Sequence, residues 1–343
     1  MAAGAIRVPA GFRRILLGGI LLFCASFAGL VLAEVLLRAV GYAPASALFG
    51  NGTPGRDVQM DWDVTYQFDR RGLRTICGAP ESGTGRTIAV IGDSFAFGQG
   101  IPNCQDFVSH LQAMDPDARY LNLARPGFGI DAYLVVARDF VPSDSSDVIV
   151  LLYGNDISIL PDRPWFSWLA DNYSTFAVLR RVGQRYFVAA ATPMSRQFNN
   201  IKNNMITRGV DAYLRVVGAD PAQQQKFAEK FAMLMAAIRT SAPQAAIWVA
   251  MVPEGMTVSD NLRAFILENG GKVAEKHSAG SNYALVRQLT SDEGANWIDL
   301  APRFFAHDGD DLYWPHDAHW SAQGGKFAAE TVRSEMVSRK RAE

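Results

Sequence analysis

Five short apolar runs recur along the chain and constrain its fold more than any other feature. They lie at residues 87–91, 119–123, 147–152, 245–250 and 296–299. Each is bounded by polar or turn residues, as strands buried on both faces of a parallel sheet should be. Helical patterns accompany them, at residues 104–114, 130–139, 222–241, 259–277 and 322–338. The alternation predicts an α/β protein with a five-stranded parallel sheet and helices on both faces.

Residues suited to nucleophilic catalysis follow three of these runs. Ser94 ends a Gly-Asp-Ser motif after the first run, Gly127 lies beyond the second, and Asn155 comes shortly after the third. Because open α/β sheets bind ligands above the carboxyl ends of their strands, we expect these residues to meet at one edge. A fourth block, Asp317-Ala318-His319-Trp320, lies near the C-terminus.

Together these residue types supply what an activated serine needs. Ser94 is the predicted nucleophile, His319 its general base, and Asp317 the group that holds the imidazole in its productive tautomer. The backbone N–H groups of Ser94 and Gly127 and the side-chain amide of Asn155 are the predicted donors to a developing oxyanion. The histidines and cysteines show no ligand spacing, so no metal and no cofactor is predicted.

Each motif has a simpler interpretation when taken alone. Gly127 is also typical of a turn with positive φ, and Asn155 is also typical of a helix N-cap. His319 would suit a buried histidine satisfied by the backbone, and His316 is a rival base three residues earlier. The occurrence of all four blocks in order, each after the appropriate element, favours the catalytic interpretation.

The four blocks resemble those of the SGNH hydrolase superfamily, also called the GDSL esterases, over roughly residues 64–340. That family is named for a Ser, a Gly, an Asn and a His, which correspond here to Ser94, Gly127, Asn155 and His319. The resemblance implies a flavodoxin-like SGNH three-layer fold. It also implies an esterase that forms an acyl-enzyme on Ser94 without a cofactor.

Two positions depart from the family pattern. Phe95 stands where the family usually has Leu, which implies a packing change only. The last block usually reads Asp-x-x-His, whereas Asp317 and His319 are two residues apart. That spacing, with Trp320, is similar to the Asp-x-His-Trp of SGNH-type polysaccharide acetyltransferases, in which the motif precedes the serine motif.

Three functions therefore remain open. The first is a serine esterase acting on carboxylic esters, with O-acyl groups of a polysaccharide or a lipid as its substrate. The second is an O-acetyltransferase that modifies a cell-surface or exported polysaccharide and needs a membrane partner as acyl donor. The third is a non-catalytic carbohydrate-binding protein on the same fold. The formal charge of −1 gives no electrostatic reason to expect a nucleic-acid partner.

The N-terminal region predicts a membrane helix. Residues 15–33 are uncharged and mostly apolar, and the apolar pattern continues to residue 37. A helix of this length is close to the thickness of the hydrocarbon core of a bilayer. Three arginines precede the segment and one follows it closely, which places the N-terminus in the cytoplasm and the rest in the periplasm or outside the cell. A cleaved signal peptide at Ser26-x-Ala28 and a lipoprotein at Cys24 are the alternatives.

The sequence as a whole suggests four parts. We expect a cytoplasmic tail at residues 1–14, a transmembrane helix at 15–37, a linker at 38–63 and the SGNH-like domain at 64–340. A long insertion at about 157–220 carries several aromatic residues and arginines. It would suit a lid or substrate wall, a segment lying on the membrane surface, or a helical appendage packed on the sheet. In an oxidising compartment Cys77 and Cys104 would be free to pair, or would remain thiols.

Overall fold

The computed structural model describes residues 10–49, 55–80, 85–158, 167–191, 214–307 and 309–342. The chain divides into two compact units. One comprises residues 1–47 and 164–191, and the other comprises residues 48–163 and 192–343.

The first unit is built around one long helix, α1 (Ala10–Ala39). Its segment Leu16–Ala39 is long and apolar enough to cross a membrane, although a signal sequence would have the same character. Two helices from the predicted insertion belong to the same unit, α7 (Ser167–Asn172) and α8 (Ser174–Ala191). The carboxylate of Glu34 accepts the backbone N–H groups of Ser174 and Thr175 at 3.1 and 2.9 Å, so it caps the start of α8.

The second unit contains the predicted parallel sheet. Its strands are β3 (Thr87–Gly92), β4 (Arg119–Asn122), β5 (Ser145–Leu152), β6 (Ala246–Met251) and β7 (Asn296–Ile298). Their order is β4-β3-β5-β6-β7, and every neighbouring pair is parallel. This is the flavodoxin-like order, in which the first strand lies between the second and the third. The fold class expected from the apolar runs is confirmed.

Helices cover both faces of the sheet. In chain order those of the second unit are α3 (Ser94–Phe97), α4 (Phe107–Met114), α5 (Ile130–Phe140), α6 (Asn155–Ser158), α9 (Leu214–Val217), α10 (Pro221–Ser241), α11 (Gly255–Val258), α12 (Asp260–Glu268), α13 (Gly280–Asp292), α14 (Ala301–Phe305) and α15 (Ala322–Ala342). A short helix, α2 (Ser46–Phe49), precedes the sheet. Ile88 and Val90 belong to one buried cluster and Ala89 and Ile91 to another, so alternate residues of β3 serve opposite faces.

One predicted helix is wrong. The pattern at residues 259–277 predicts a single helix, but α12 ends at Glu268 and the separate helix α13 begins at Gly280. Gly270 adopts φ +78°, a left-handed conformation that glycine accepts without strain and that ends helices. The helix in this region is therefore shorter than predicted, and residues 269–277 are not helical.

A two-stranded antiparallel hairpin was not predicted. Strands β1 (Gly55–Val58) and β2 (Asp63–Tyr66) pair with each other, so part of the segment assigned to a linker at 38–63 is folded. The segment is short and mostly polar, and the strand pattern is weak. The hairpin is buried through Trp62, Val64 and Tyr66, which pack into the core cluster on one face of the sheet.

The insertion is described only in part. Residues 159–166 and 192–213 lie outside the described residues, and with them Trp165 and Phe166. The side chains of Tyr186 and Phe187 lie outside them as well.

Cys77 and Cys104 form a disulfide with their Cα atoms 5.1 Å apart, which closes a loop around β3. The two cysteines are 27 residues apart in sequence. Loop-closure entropy for this length suggests that the bond stabilises the fold by about 3–4 kcal/mol. We therefore expect Cys77→Ser combined with Cys104→Ser to lower the urea midpoint of the detergent-solubilised protein. An unchanged midpoint would show that the bond contributes nothing.

Candidate active site

Ser94 is the first residue of α3, directly after β3 and Asp93. The Asp93 carboxylate accepts the backbone N–H of Phe95 at 2.9 Å and so caps the helix. A Cβ on Gly92 would lie 2.6 Å from the Cβ of Ala96 and 2.8 Å from the carbonyl oxygen of Leu151, so only glycine fits. This tight turn places the serine at the carboxyl edge of the sheet.

A buried arginine supports the turn that follows α3. The Arg74 guanidinium donates to the carbonyl oxygens of Phe97, Gly98 and Ile101, each at 2.6 Å. The side chain is fully buried and lies 3.8 Å from the Asp106 carboxylate. Loss of Arg74 would leave three carbonyl groups without these donors, so it is a structural support for the serine turn.

The structure brings Ser94, His319 and Asp317 together. The Nε2 atom of His319 lies 2.7 Å from the Ser94 hydroxyl, although the two residues are 225 positions apart. The Nδ1 atom of His319 bonds the Asp317 carboxylate, which also accepts the backbone N–H of His319 at 3.0 Å. A separation of two residues therefore lets one carboxylate oxygen hold both the ring and the backbone of the histidine.

The electrostatics of the trio suit a general base. Burial alone would lower the pKa of His319, but the negative charge and hydrogen bond of Asp317 more than offset it, and the net pKa is raised. Asp317 is buried, with 5% of its side chain exposed, whereas 15% of the His319 side chain is exposed. The imidazolium that forms on proton transfer would be stabilised by a carboxylate shielded from water.

Aromatic rings fix the orientation of the histidine. Phe95 lies 5.1 Å from the His319 ring between centroids, and Trp62 lies 6.2 Å away and perpendicular to it. Trp320 is 1% exposed and packs edge-on against Phe95, so it belongs to the core. Trp314 is partly buried and packs against Trp62 at 5.7 Å.

The two other predicted oxyanion residues follow the strands that flank β3. Gly127 lies in the turn after β4 with φ +79°, which glycine adopts freely. Asn155 opens α6 after β5, and β4 and β5 are the neighbours of β3 on its two sides. A Cβ on Gly154 would lie 2.0 Å from the Val216 carbonyl oxygen, so this turn also requires glycine. The sheet order therefore explains why these three loops share one edge.

The rival base has another partner. The Nδ1 atom of His316 lies 2.7 Å from the Asp61 carboxylate, which also accepts the backbone N–H of His316 at 3.1 Å. Asp61 comes from the hairpin loop between β1 and β2. This pair ties the hairpin to the loop that carries Asp317 and His319, a link that the sequence analysis missed together with the hairpin.

Three buried acids, Asp93, Asp156 and Glu254, lie next to the turns that carry Ser94 and Asn155. Burial raises the pKa of Asp93 to about 6 and that of Asp156 well above its ordinary value, and the negative charge of Asp93 adds to the rise at Asp156. Burial also raises the pKa of Glu254 to about 8, partly offset by hydrogen bonds from the Tyr153 hydroxyl and the Gly154 backbone. Glu254 is therefore predominantly neutral at pH 7, beside the turn that carries Asn155.

Glu254 was not among the residues predicted from the sequence. The available signal was an acidic residue almost directly after the apolar run of β6, where such sheets bind ligands. Among the described residues, no cluster of three or more His, Cys, Asp or Glu side chains is placed to hold a metal ion.

No protein-family model and no curated protein matches this chain. Solved structures similar to it include phospholipase A1 from Streptomyces albidoflavus NA297, with 16% identity, a TM-score of 0.45, and coverage of 74% of this chain and 100% of that chain. An extracellular lipase from Streptomyces rimosus has 16% identity, a TM-score of 0.46 and coverage of 73% and 100%. A lipolytic G-D-S-L family protein from Veillonella parvula DSM 2008 has 11% identity, a TM-score of 0.42 and coverage of 73% and 97%.

Proposed function

We propose that this chain is a membrane-anchored serine esterase of the SGNH/GDSL type. The observation that carries the proposal is the continuous hydrogen-bonded series from Ser94 through His319 to Asp317. A serine hydroxyl beside a carboxylate-oriented imidazole is the arrangement that activates a weak nucleophile. The proposed location is outside the cytoplasmic membrane, with residues 15–37 as a single-pass anchor and the N-terminus in the cytoplasm.

The reaction begins when the Ser94 oxygen attacks the ester carbonyl while Nε2 of His319 takes the serine proton. The carbonyl electrons move to oxygen, and the backbone N–H groups of Ser94 and Gly127 with the amide of Asn155 stabilise that oxyanion. Collapse of the tetrahedral intermediate expels the alcohol, which receives the proton from His319. Water then attacks the acyl-enzyme with the same base, and the acid is released and Ser94 restored.

The proposed substrates are O-acyl esters, O-acetyl groups above all, carried by a polysaccharide or lipid outside the membrane. This choice follows from the proposed topology, because a domain anchored outside the membrane would lie close to the polysaccharides and lipids of the cell envelope. The chemistry itself requires no cofactor.

An O-acetyltransferase is the second candidate, favoured by the Asp317-x-His319-Trp320 spacing. It would use the same acyl-enzyme, but a sugar hydroxyl instead of water would take the acyl group. A membrane partner would then be needed to supply acyl groups.

The experiment that tests the proposal is release of p-nitrophenol from p-nitrophenyl acetate by the detergent-solubilised full chain. An esterase should turn over steadily in water, and polysaccharide should not divert the acetyl group. A transferase should hydrolyse slowly and place the acetyl group on the added polysaccharide. The absence of any acyl-enzyme and turnover in folded protein would contradict both candidates.

Replacing Asn155 by alanine should lower kcat by about 10²-fold, because one oxyanion donor is lost. Circular dichroism should be unchanged, since the proposed role is in the transition state. Asn261→Ala, at an exposed position of α12, is the matched control and should retain full activity. Equal turnover in Asn155→Ala and wild type would remove Asn155 from the oxyanion site.

We expect a bell-shaped pH profile of kcat/KM. Activity should rise as His319 loses its proton, with a midpoint above the ordinary histidine pKa of 6.5. It should fall again near pH 8, because ionised Glu254 puts a negative charge behind the turn that stabilises the oxyanion. Glu254→Gln should remove the alkaline limb, whereas Glu268→Gln on the exposed end of α12 should not. An alkaline limb that survives Glu254→Gln would exclude this role.

A further inference from the structure

Helices α7 and α8 are attached to the end of the long apolar helix. Glu34 caps α8 through Ser174 and Thr175, and it also accepts the Thr175 hydroxyl at 3.0 Å. One turn later, Arg38 donates to the carbonyl oxygen of Asn172 at 2.9 Å, at the end of α7. Because Glu34 and Arg38 are in the last two turns of α1, the junction of α7 and α8 lies level with the end of the apolar segment.

Large apolar and aromatic side chains are exposed on α7, on α8 and at the residue between them. Trp168 is 57% exposed, and its ring packs perpendicular to that of Tyr173 with centroids 5.7 Å apart. Leu179 and Val182, nearly one turn apart on α8, are 53% and 46% exposed. Single exposed apolar residues need no explanation, but here one exposed aromatic pair and one exposed aliphatic pair lie within fifteen residues of each other in sequence, which is apolar area that water solvates poorly.

The composition of this pair of helices matches that of an interfacial element. Trp and Tyr are enriched where a bilayer meets water, because one end of each ring is apolar and the other polar. Residues 167–191 carry three arginines and one acidic residue, Asp171. The guanidinium of Arg180 lies 3.1 Å from that carboxylate. A basic helix with an exposed apolar side is typical of elements that lie along a membrane surface.

We propose that α7 and α8 form an interfacial membrane-binding element, seated in the headgroup region of the leaflet from which α1 emerges. The occupant of their exposed side is the bilayer itself, since that side begins where the apolar helix ends. Another side of α8 carries Ser174, Thr175 and Ala177, which are buried. This inference rests on the proposed anchoring of α1. It assigns part of the insertion to membrane contact instead of to substrate.

The test uses the full chain reconstituted into vesicles of three parts phosphatidylcholine to one part phosphatidylglycerol. An environment-sensitive dye is attached at Leu179→Cys in a Cys24→Ser background, so that the dye has a single free thiol. A second preparation carries the dye at Phe23→Cys, near the middle of α1 and 72% exposed in the protein alone. Quenching is measured with aqueous iodide and with brominated lipids, which report opposite environments.

We expect the dye at residue 179 to be blue-shifted, quenched by lipids brominated near the headgroups, and protected from iodide. The dye at residue 23 should be quenched by lipids brominated deeper in the chains. If residue 23 reports lipid while residue 179 is quenched freely by iodide and not by lipid, the interfacial element is excluded and the anchor stands. If neither position reports lipid, the proposed anchor fails and the inference fails with it.

Discussion

Replacing Ser94 by alanine is expected to lower the rate of p-nitrophenyl acetate hydrolysis by about 10⁴- to 10⁶-fold, the range seen when the nucleophile of a Ser-His-Asp catalytic triad is removed. No acyl-enzyme can form without the Oγ atom that lies 2.7 Å from His319. The fold should be unaffected, because the Asp93 carboxylate and not Ser94 caps α3. The measurement is kcat under saturating substrate, with circular dichroism beside it.

Ser291→Ala is a suitable control, since Ser291 is exposed on α13. It should keep the activity of the unmodified chain. A Ser94→Ala variant that retains more than about a tenth of the activity would contradict the proposed nucleophile, since such a loss is far below that of a removed catalytic group.

Replacing Asp317 by asparagine is expected to lower kcat by about 10⁴-fold. The amide of asparagine could turn either group toward Nδ1 of His319. Its N–H would favour the wrong tautomer of the imidazole. Its carbonyl oxygen would keep the correct tautomer but would lack the negative charge that stabilises the imidazolium. The backbone contact to His319 can be retained, so the loop should keep its shape. The loss should therefore appear in kcat with little change in KM.

Asp311→Asn provides the comparison, because Asp311 lies shortly before Asp317 in the sequence and has 57% of its side chain exposed. It is expected to have nearly full activity. Equal, small effects of the two substitutions would show that Asp317 does not orient the base, and that the short Asp-x-His spacing is structural only.

The parallel sheet was predictable from sequence because its strands are buried on both faces and therefore read as continuous apolar runs. Val148 to Leu152 illustrate this, with no polar residue to break the run. The β1–β2 hairpin was not predictable in the same way, because β1 contains one apolar residue, Val58, and only packing against the rest of the unit stabilises the pair. Likewise, α12 ends just before a single glycine, Gly270, and the spacing of apolar residues gives no sign of that end.

For the candidate site, the sequence supplied the residue types and the family pattern, but not the contacts. The order of strands is what brings the loops of Ser94, Gly127 and Asn155 to one edge, and it follows from strand connectivity. Glu254 and the Asp61–His316 pair were missed because their significance lies in burial and in partners far away in sequence. No local pattern reports either property.

The most direct test of the account is covalent labelling of the full chain with a fluorophosphonate, which reacts with activated serines, followed by peptide mass mapping. We expect a single modified residue, Ser94, with labelling lost in His319→Ala because the base is needed to activate the hydroxyl. Folded protein that remains unlabelled, or a label on any other serine, would contradict the claim that Ser94, His319 and Asp317 form a working catalytic relay.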